Sequence, residues 1–308
     1  MADIIKKIIP ANDIQHGCAI SHVTKTGDIH AVCPEIKTAA TISAIESRLT
    51  NRFDDTDYYG THFKPTIISD CIVWASADKD TEFSDGDPVG TWTNRGTKSY
   101  DFTVFCTNAA KRPTYKTNIM RGNPALLFDG TDDILEIDTM GTDLSTLTDF
   151  TVMVAFQFVT LTDFATIASF GSHPSANPQI RFFQLDDSSD RIIRSEGKDG
   201  SNSVVTLINN GVVSAGVPYV GTFHNDADGV ATQYINMIKS GTHTPYNVNS
   251  YKDGVTDITE LSIGSAHQPD NFSHAYVAEY VLFDRLLTIT EKERVERYLC
   301  KKYGVALP

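Results

Sequence analysis

The chain has 308 residues, a formal net charge of −13 at pH 7, 41% hydrophobic side chains and 21% charged ones. That is enough apolar material for a sizeable core and too little polarity for a disordered chain. The acidity repels phosphate backbones and anionic lipid, which excludes nucleic acid and membrane as main partners.

The opening stretch, "MADIIKKIIPANDIQ", is interrupted by Pro10 and Asp13 and lacks the continuous apolar segment of a signal peptide. No run approaches the roughly 18 apolar residues of a membrane span, so the chain is expected to fold in a cytosol. "GCAISHVTKTGDIHAVC" predicts a hairpin around Thr26-Gly27. "ISAIESRLTNRF" predicts a short helix, with Ile42, Ile45 and Leu49 on one face and a Ser43/Glu46 cap. The first 65 residues hold seven basic and eight acidic side chains, so nearly all the acidity lies beyond them. With few large apolar groups they make a marginal unit alone. Residues 1–65 are therefore expected to be an anchoring or oligomerisation segment, ending in the linker "DDTDYYGTHFKP".

From residue 66 to 308 turn signals dominate. Asp-Gly recurs at Asp85-Gly86, Asp129-Gly130, Asp199-Gly200, Asp228-Gly229 and Asp253-Gly254, joined by Asn210-Gly211. These pairs tolerate the positive φ of tight turns. Between them, "TVMVAFQFV" puts Val152, Val154, Phe156 and Phe158 on one face, and "QIRFFQL", "VATQYINMI", "TELSIG" and "YVAEYVLF" read as further strands. So many short strands spaced by turns predict an all-β, antiparallel two-sheet sandwich. One helix closes the chain. Thr290 and Glu293 have capping-box spacing, Val295, Tyr298, Leu299 and the stem of Lys302 form its buried face, and Gly304 supplies a left-handed stop. A lone amphipathic helix of this kind should dock on the sandwich edge or on a neighbouring chain.

The five cysteines, Cys18, Cys33, Cys71, Cys106 and Cys300, are odd in number and widely spaced. They predict neither disulfides nor a zinc site, and Cys300 reads as a buried free thiol.

In order along residues 68–308, "CIVWASADKD", "VGTWTNRG", "RPTYKTNIMRGNPALLFDGTDDILEI", "FTVMVAFQF", "TIASFGS", "ELSIGSA" and "AYVAEYVLFDRLLTITEKERVERYLCKKYGV" resemble concanavalin A-like lectin/glucanase domains of the laminin-G-like type. The resemblance implies a jelly-roll of two curved sheets, frequent attachment to other modules and no fixed activity. Members occur as secreted adhesion modules and in bacteriophage virions. They usually carry an Asp two residues after the first Trp. Here Trp74 is followed by Ala75 and Ser76, which weakens the case for a polar site at that strand end.

Sandwich-fold glycosidases place three acids on one strand face as E-x-D-x-E. "FDGTDDILEIDTM" supplies Glu136 and Asp138, but Met140 holds the third position. The stretch is expected to be scaffold with its charges outward, and the chain no enzyme. No Gly-x-Ser-x-Gly elbow, P-loop or HExxH is present, and the nine histidines are scattered. Asp129, Asp132 and Asp133 crowd one turn and could supply part of a calcium shell, as could "LDDSSD" at 185–190. Asp in turns more often caps local amides, so no cofactor is expected. A glycan site needs an aromatic face and planar polar groups, for which Trp92, Arg181 and Tyr246 are the candidates.

The functional expectation is a bacteriophage virion protein, a head-decoration, fibre or tail component. Residues 1–65 would hold it to other virion proteins, in a self-associated form expected to be a trimer. The alternative is a carbohydrate-binding module that captures host surface polysaccharide. A glycoside hydrolase is third, lacking a catalytic pair.

Overall fold

The computed structural model describes residues 19–23 and 29–32. From 63 onward it describes all residues except 105–108, 141–142, 145, 148, 173–174, 186–191, 199–203, 208–211, 227, 229, 244–258 and 267–270. The chain divides into two units, Met1–Phe63 and Lys64–Pro308. In the first, β1 (Ala19–Val23) pairs antiparallel with β2 (Ile29–Val32), with Val23 opposite Ile29, as the hairpin around Thr26-Gly27 requires. The helix expected at 42–53, the linker before residue 63 and Cys18, Cys33 and Cys106 lie outside the described residues.

The second unit is a sandwich of two eight-stranded antiparallel sheets. In the first sheet the order is β13 (Val204–Leu207), β12 (Ile193–Lys198), β11 (Ser175–Leu185), β10 (Ala168–Ser172), β17 (Glu260–Ile263), β8 (Leu135–Ile137), β5 (Phe102–Val104) and β4 (Thr91–Trp92). In the second it is β16 (Ile238–His243), β15 (Ala231–Ile235), β14 (Pro218–Asn225), β9 (Phe150–Phe158), β18 (His274–Phe283), β7 (Asn123–Asp129) and β6 (Thr114–Met120). The remaining strand, β3 (Cys71–Ser76), pairs with β18 beyond the end of β7.

Rings from both sheets interdigitate between them. Phe150 meets Phe170 at 5.4 Å, Phe223 meets Phe182 at 5.0 Å, and Tyr280 meets Phe102 edge-on at 5.6 Å. Val152, Val154, Phe156 and Phe158 all belong to this core, as the alternation in β9 predicts. Gly264 sits at φ 90°, and a Cβ there would lie 2.1 Å from Phe128, so the close approach of backbone to ring requires glycine.

Three expectations need correction. "VATQYINMI" is not one strand: Asn236 and Met237 take positive φ and fold it into the β15–β16 hairpin, because two consecutive left-handed residues make a tight turn without glycine. The helix α1 (Ile289–Tyr303) is capped by Thr288 and Glu291, not by Thr290 and Glu293. The Thr288 hydroxyl accepts from the Glu291 amide and the Glu291 carboxylate accepts from the Thr288 amide, two residues earlier than predicted. Finally, α1 lies across β14 and β9, inside the second sheet and not at its edge. Its buried face does contain Val295, Tyr298, Leu299 and Lys302, and Gly304 ends it at φ 74°. Cys300 is buried and free, its thiol pushed up to about 12 by burial and by Glu296. The shifted cap predicts that Thr288→Ala costs about 1 kcal/mol in urea unfolding while Thr290→Ala stays within about 0.5 kcal/mol.

Candidate functional site

Strand alternation builds one polar row on the face of the first sheet that points away from the core. In β8, Leu135 and Ile137 enter the core and Glu136 points outward. The registers then carry the row across the sheet: Thr103 opposite Glu136, Glu136 opposite Ser262, Ser262 opposite Ser169, Ser169 opposite Arg181, and Arg181 opposite Glu196. Their chain neighbours, Phe102, Leu261, Ile263, Ala168, Phe170, Ile180 and Phe182, are core. Polar groups on an outer face are ordinarily solvated. Here Ser262 and Ser169 are fully buried, Glu136 is 3% exposed, Glu196 5% and Arg181 8%.

The row is hydrogen-bonded. The Ser262 hydroxyl donates to Glu136 Oε1 at 3.3 Å, and Ser169 donates to the Ser265 carbonyl at 3.4 Å. Arg194, one pair further along β12, reaches Glu196 at 3.1 Å and donates from Nε to Gln184 Oε1 at 3.0 Å. Gln184 in turn donates to the Phe164 carbonyl and to the Thr166 hydroxyl, both at 3.1 Å, and the Arg194 guanidinium lies over the Phe164 ring. Burial first, then the charges of Glu260 and Asp138, push the Glu136 carboxyl up to about 8 against the opposing hydrogen bond from Ser262. At neutral pH Glu136 is thus mainly a carboxylic acid, which both donates and accepts. Closed from solvent and bonded to one another, the row's groups brace the sheet.

No known family model matches the sequence, and no curated protein is similar to it. Solved structures share its architecture. Domain 4 of AbnA, an extracellular GH43 arabinanase from Geobacillus stearothermophilus in complex with arabinotriose, is 14% identical with a TM-score of 0.54, covering 74% of this chain and 98% of that one. Trypanosoma rangeli sialidase with 2,3-difluorosialic acid is 12% identical with a TM-score of 0.49, covering 85% of this chain and 39% of that one. The NanB sialidase from Streptococcus pneumoniae is 16% identical with a TM-score of 0.41, covering 54% of this chain and 26% of that one. The fold is that of a lectin-like sandwich. The chain thus spans well under two thirds of either sialidase.

Within this sandwich the predicted site residues separate. Arg181 is on the row. Trp92 is not in a loop: β4 turns its indole into the core, fully buried at 5.8 Å from Phe102, where it cannot meet a sugar. Tyr246 and the acidic run at 186–190 lie outside the described residues. Glu136 is not a solvated outward charge, because its row is closed from solvent; Asp138 is exposed, and Met140 is buried in the core.

The carboxylates of Asp129, Asp132 and Asp133 come within 4.8 Å of one another. Their oxygens serve the turn: Asp133 accepts the Asp129 amide at 2.9 Å, and Asp129 accepts the amides of Thr131 and Asp132. Burial and the neighbouring Asp129 push Asp133 up to about 7.

A second polar centre corrects the expectation at the end of β3. Glu279, fully buried on β18, accepts from Trp74 Nε1 at 2.6 Å, Tyr303 at 2.7 Å, Tyr298 at 3.0 Å and Lys302 at 2.7 Å. Lys302 also donates to Ser76 at 3.0 Å and to Asp78 at 2.7 Å. Burial raises Asp78, but the Lys302 charge outweighs it and holds the carboxyl at about 2. Ser76 leaves room for an ammonium that Asp78, two residues on, neutralises. This centre ties helix to sheet and is sealed beneath α1, so it is structural.

Sequence reasoning missed Ser169, Ser262, Glu196 and Arg194. Ser169 and Ser262 alternate with apolar residues inside "TIASFGS" and "TELSIG", a signal that was available, whereas Glu196, between Ser195 and Gly197, and Arg194, beside Ser195, carry no such pattern. The strand order that aligns all four is not in the sequence.

Proposed function

We propose that the sandwich is a glycan-binding domain without catalytic activity. The observation that carries this reading is the two-sheet fold shared with domain 4 of AbnA, 98% of which is covered at a TM-score of 0.54. The polar row across six adjacent strands of the first sheet is closed from solvent, which puts it out of a ligand's reach. A domain of the same fold, domain 4 of AbnA, was solved with arabinotriose. Hydrolysis would need two carboxyl groups about 5–5.5 Å apart flanking the scissile bond, or further apart for inversion. Met140, buried in the core, does not supply the third acid of the glycosidase strand pattern.

The chain should be retarded in affinity electrophoresis through gels containing soluble polysaccharide, and Arg181→Ala, at a buried position, should be retarded as strongly as wild type. Thermal unfolding of the variant is measured alongside to confirm its fold. A wild-type chain that no soluble polysaccharide retards would overturn the glycan-binding reading. Release of reducing ends by the wild type would overturn the non-catalytic part. Display on a bacteriophage particle as a trimer held by residues 1–65 is a separate proposal from the sequence, tested by mass photometry of the full chain.

A further inference from the structure

The second sheet differs from the first in that part of its outer face is open. Where α1 crosses β14 and β9, the outward residues Val220, Thr222, Met153 and Ala155 are buried. The helix stops at Gly304, and past its end the next outward residues on the same strands are only half-buried. The registers align them in one row: Pro218 opposite Gln157, Gln157 opposite Tyr276, Tyr276 opposite Leu127, and Leu127 opposite Thr114. All five are half-buried, while Phe156, Phe158, Ala275 and Val277, the chain neighbours of Gln157 and Tyr276, belong to the core.

This row borders a cavity of about 780 Å3, within the size range of sites that hold small ligands. Gln157 and Pro218 line it from the sheet, Met120 and Arg121 from the β6–β7 turn, and Val305 and Leu307 from the segment after α1. Among the described residues no carboxylate side chain lines it, in a chain of net charge −13. Arg121 is exposed and sits at φ 51°. Its guanidinium donates to the Lys301 carbonyl, which fixes the group in place and leaves further N–H donors. Among the described residues neither the Gln157 amide nor the Tyr276 hydroxyl has a hydrogen-bond partner.

We infer that this open row is the surface that meets the glycan, with one sugar residue against Tyr276 and the next over Gln157 at the mouth of the cavity. The inference rests on the glycan-binding reading and adds to it the surface and the contact residues. Tyr276, Leu127 and Pro218 offer apolar area to the C–H face of a sugar ring, and the Gln157 amide both donates to and accepts from hydroxyls. Arg121 supplies donors from the opposite wall. Adjacent strands lie about 4.8 Å apart, close to the length of one sugar residue, so a chain laid across the strands meets successive side chains in step. The side chains stand on paired strands in the middle of a sheet, which holds them in place before the ligand arrives.

The test uses the full chain in gels containing arabinan, xylan, mixed-linkage glucan or polygalacturonate, with thermal unfolding of every variant alongside. Tyr276→Ala and Gln157→Ala should each weaken retention by about tenfold or more. Tyr276→Phe, which keeps the ring, should stay within about threefold of wild type. Gln157→Ala, at a half-buried position without an intramolecular hydrogen bond, should keep the wild-type unfolding midpoint, so its loss of retention reads contact with the ligand and not the fold. Folded Gln157→Ala and Tyr276→Phe chains settle the matter even where Tyr276→Ala does not fold. Wild-type retention of Gln157→Ala, or a tenfold loss in Tyr276→Phe, would overturn the inference while leaving glycan binding standing. Retention of the wild-type chain by none of the four polysaccharides removes glycan binding itself, and the inference with it.

Discussion

Glu279→Ala should lower the stability of the sandwich by about 3–5 kcal/mol, the cost of removing one partner of a buried ion pair. The carboxylate is fully buried and takes hydrogen bonds from Trp74, Tyr298, Lys302 and Tyr303. Alanine would remove the acceptor shared by Trp74, Tyr298 and Tyr303, leaving Tyr303 its longer bond to the Ala278 carbonyl at 3.4 Å, and would deprive the Lys302 ammonium of one of its two carboxylates. Tyr298 and Tyr303, whose hydroxyls burial and Glu279 push far above the ordinary tyrosine range, cannot adapt by ionising. Glu279→Gln keeps the shape and one acceptor oxygen but turns an NH2 group toward donors, so it should fall between wild type and alanine. Urea unfolding checks both: the midpoint should drop in the order wild type, glutamine, alanine, with an unchanged m-value. An alanine variant within about 1 kcal/mol of wild type would show that α1 is held by its apolar face alone.

Glu136→Gln should stabilise the protein at alkaline pH. The Glu136 carboxyl is raised from its ordinary 4.5 to about 8 by burial, by Glu260 and by Asp138. A raised folded-state pKa contributes stability that is complete below the unfolded value and is lost as pH climbs through the folded one. The loss from this group therefore falls between about pH 4.5 and 8 and amounts to the order of 3–5 kcal/mol. Asp80, raised to about 6, and Asp133, raised to about 7, act in the same direction. Asp78 and Glu291, held near 2, act in the opposite direction and only in acid, so their window does not overlap. The difference in stability between Glu136→Gln and wild type isolates the single group. It should be near zero or slightly unfavourable at pH 4.5 and should favour the variant increasingly up to pH 8.

These two carboxyls show what a sequence makes legible and what it withholds. Strand identity was readable in β9, β17 and β18 because β-branched and aromatic residues alternate there, and two sheets follow from the number of such runs. A glutamate within such a run gives no hint of its surroundings. Glu136 looked like a charge at a solvated edge, and its actual environment comes from Ser262, 126 residues away, and from Glu260. Glu279 sits inside "YVAEYVLF" with nothing in the sequence to signal that α1 lies over it. Trp92 failed for the same reason in reverse, since a two-residue strand next to glycine looks like a loop while its indole completes the core. Arg181 was chosen as a planar polar group near an apparent loop, whereas it lies within β11, and its partners on the row were fixed by strand order alone. The cap misplaced by two residues belongs to the ordinary uncertainty of helix ends, where "TIT" offers two equivalent threonines.

Strand β18 occupies the middle of its sheet, between β9 on one side and β7 and β3 on the other. On the ribosome that order has a cost, because the keystone emerges after every strand it must join. Until residues 274–283 leave the exit tunnel, β9, β7 and β3 each present an open edge, and Trp74 waits for an acceptor 205 positions downstream. The nascent chain is therefore adhesive through most of its synthesis and closes late, in a single event that seats the central strand and then the helix above it.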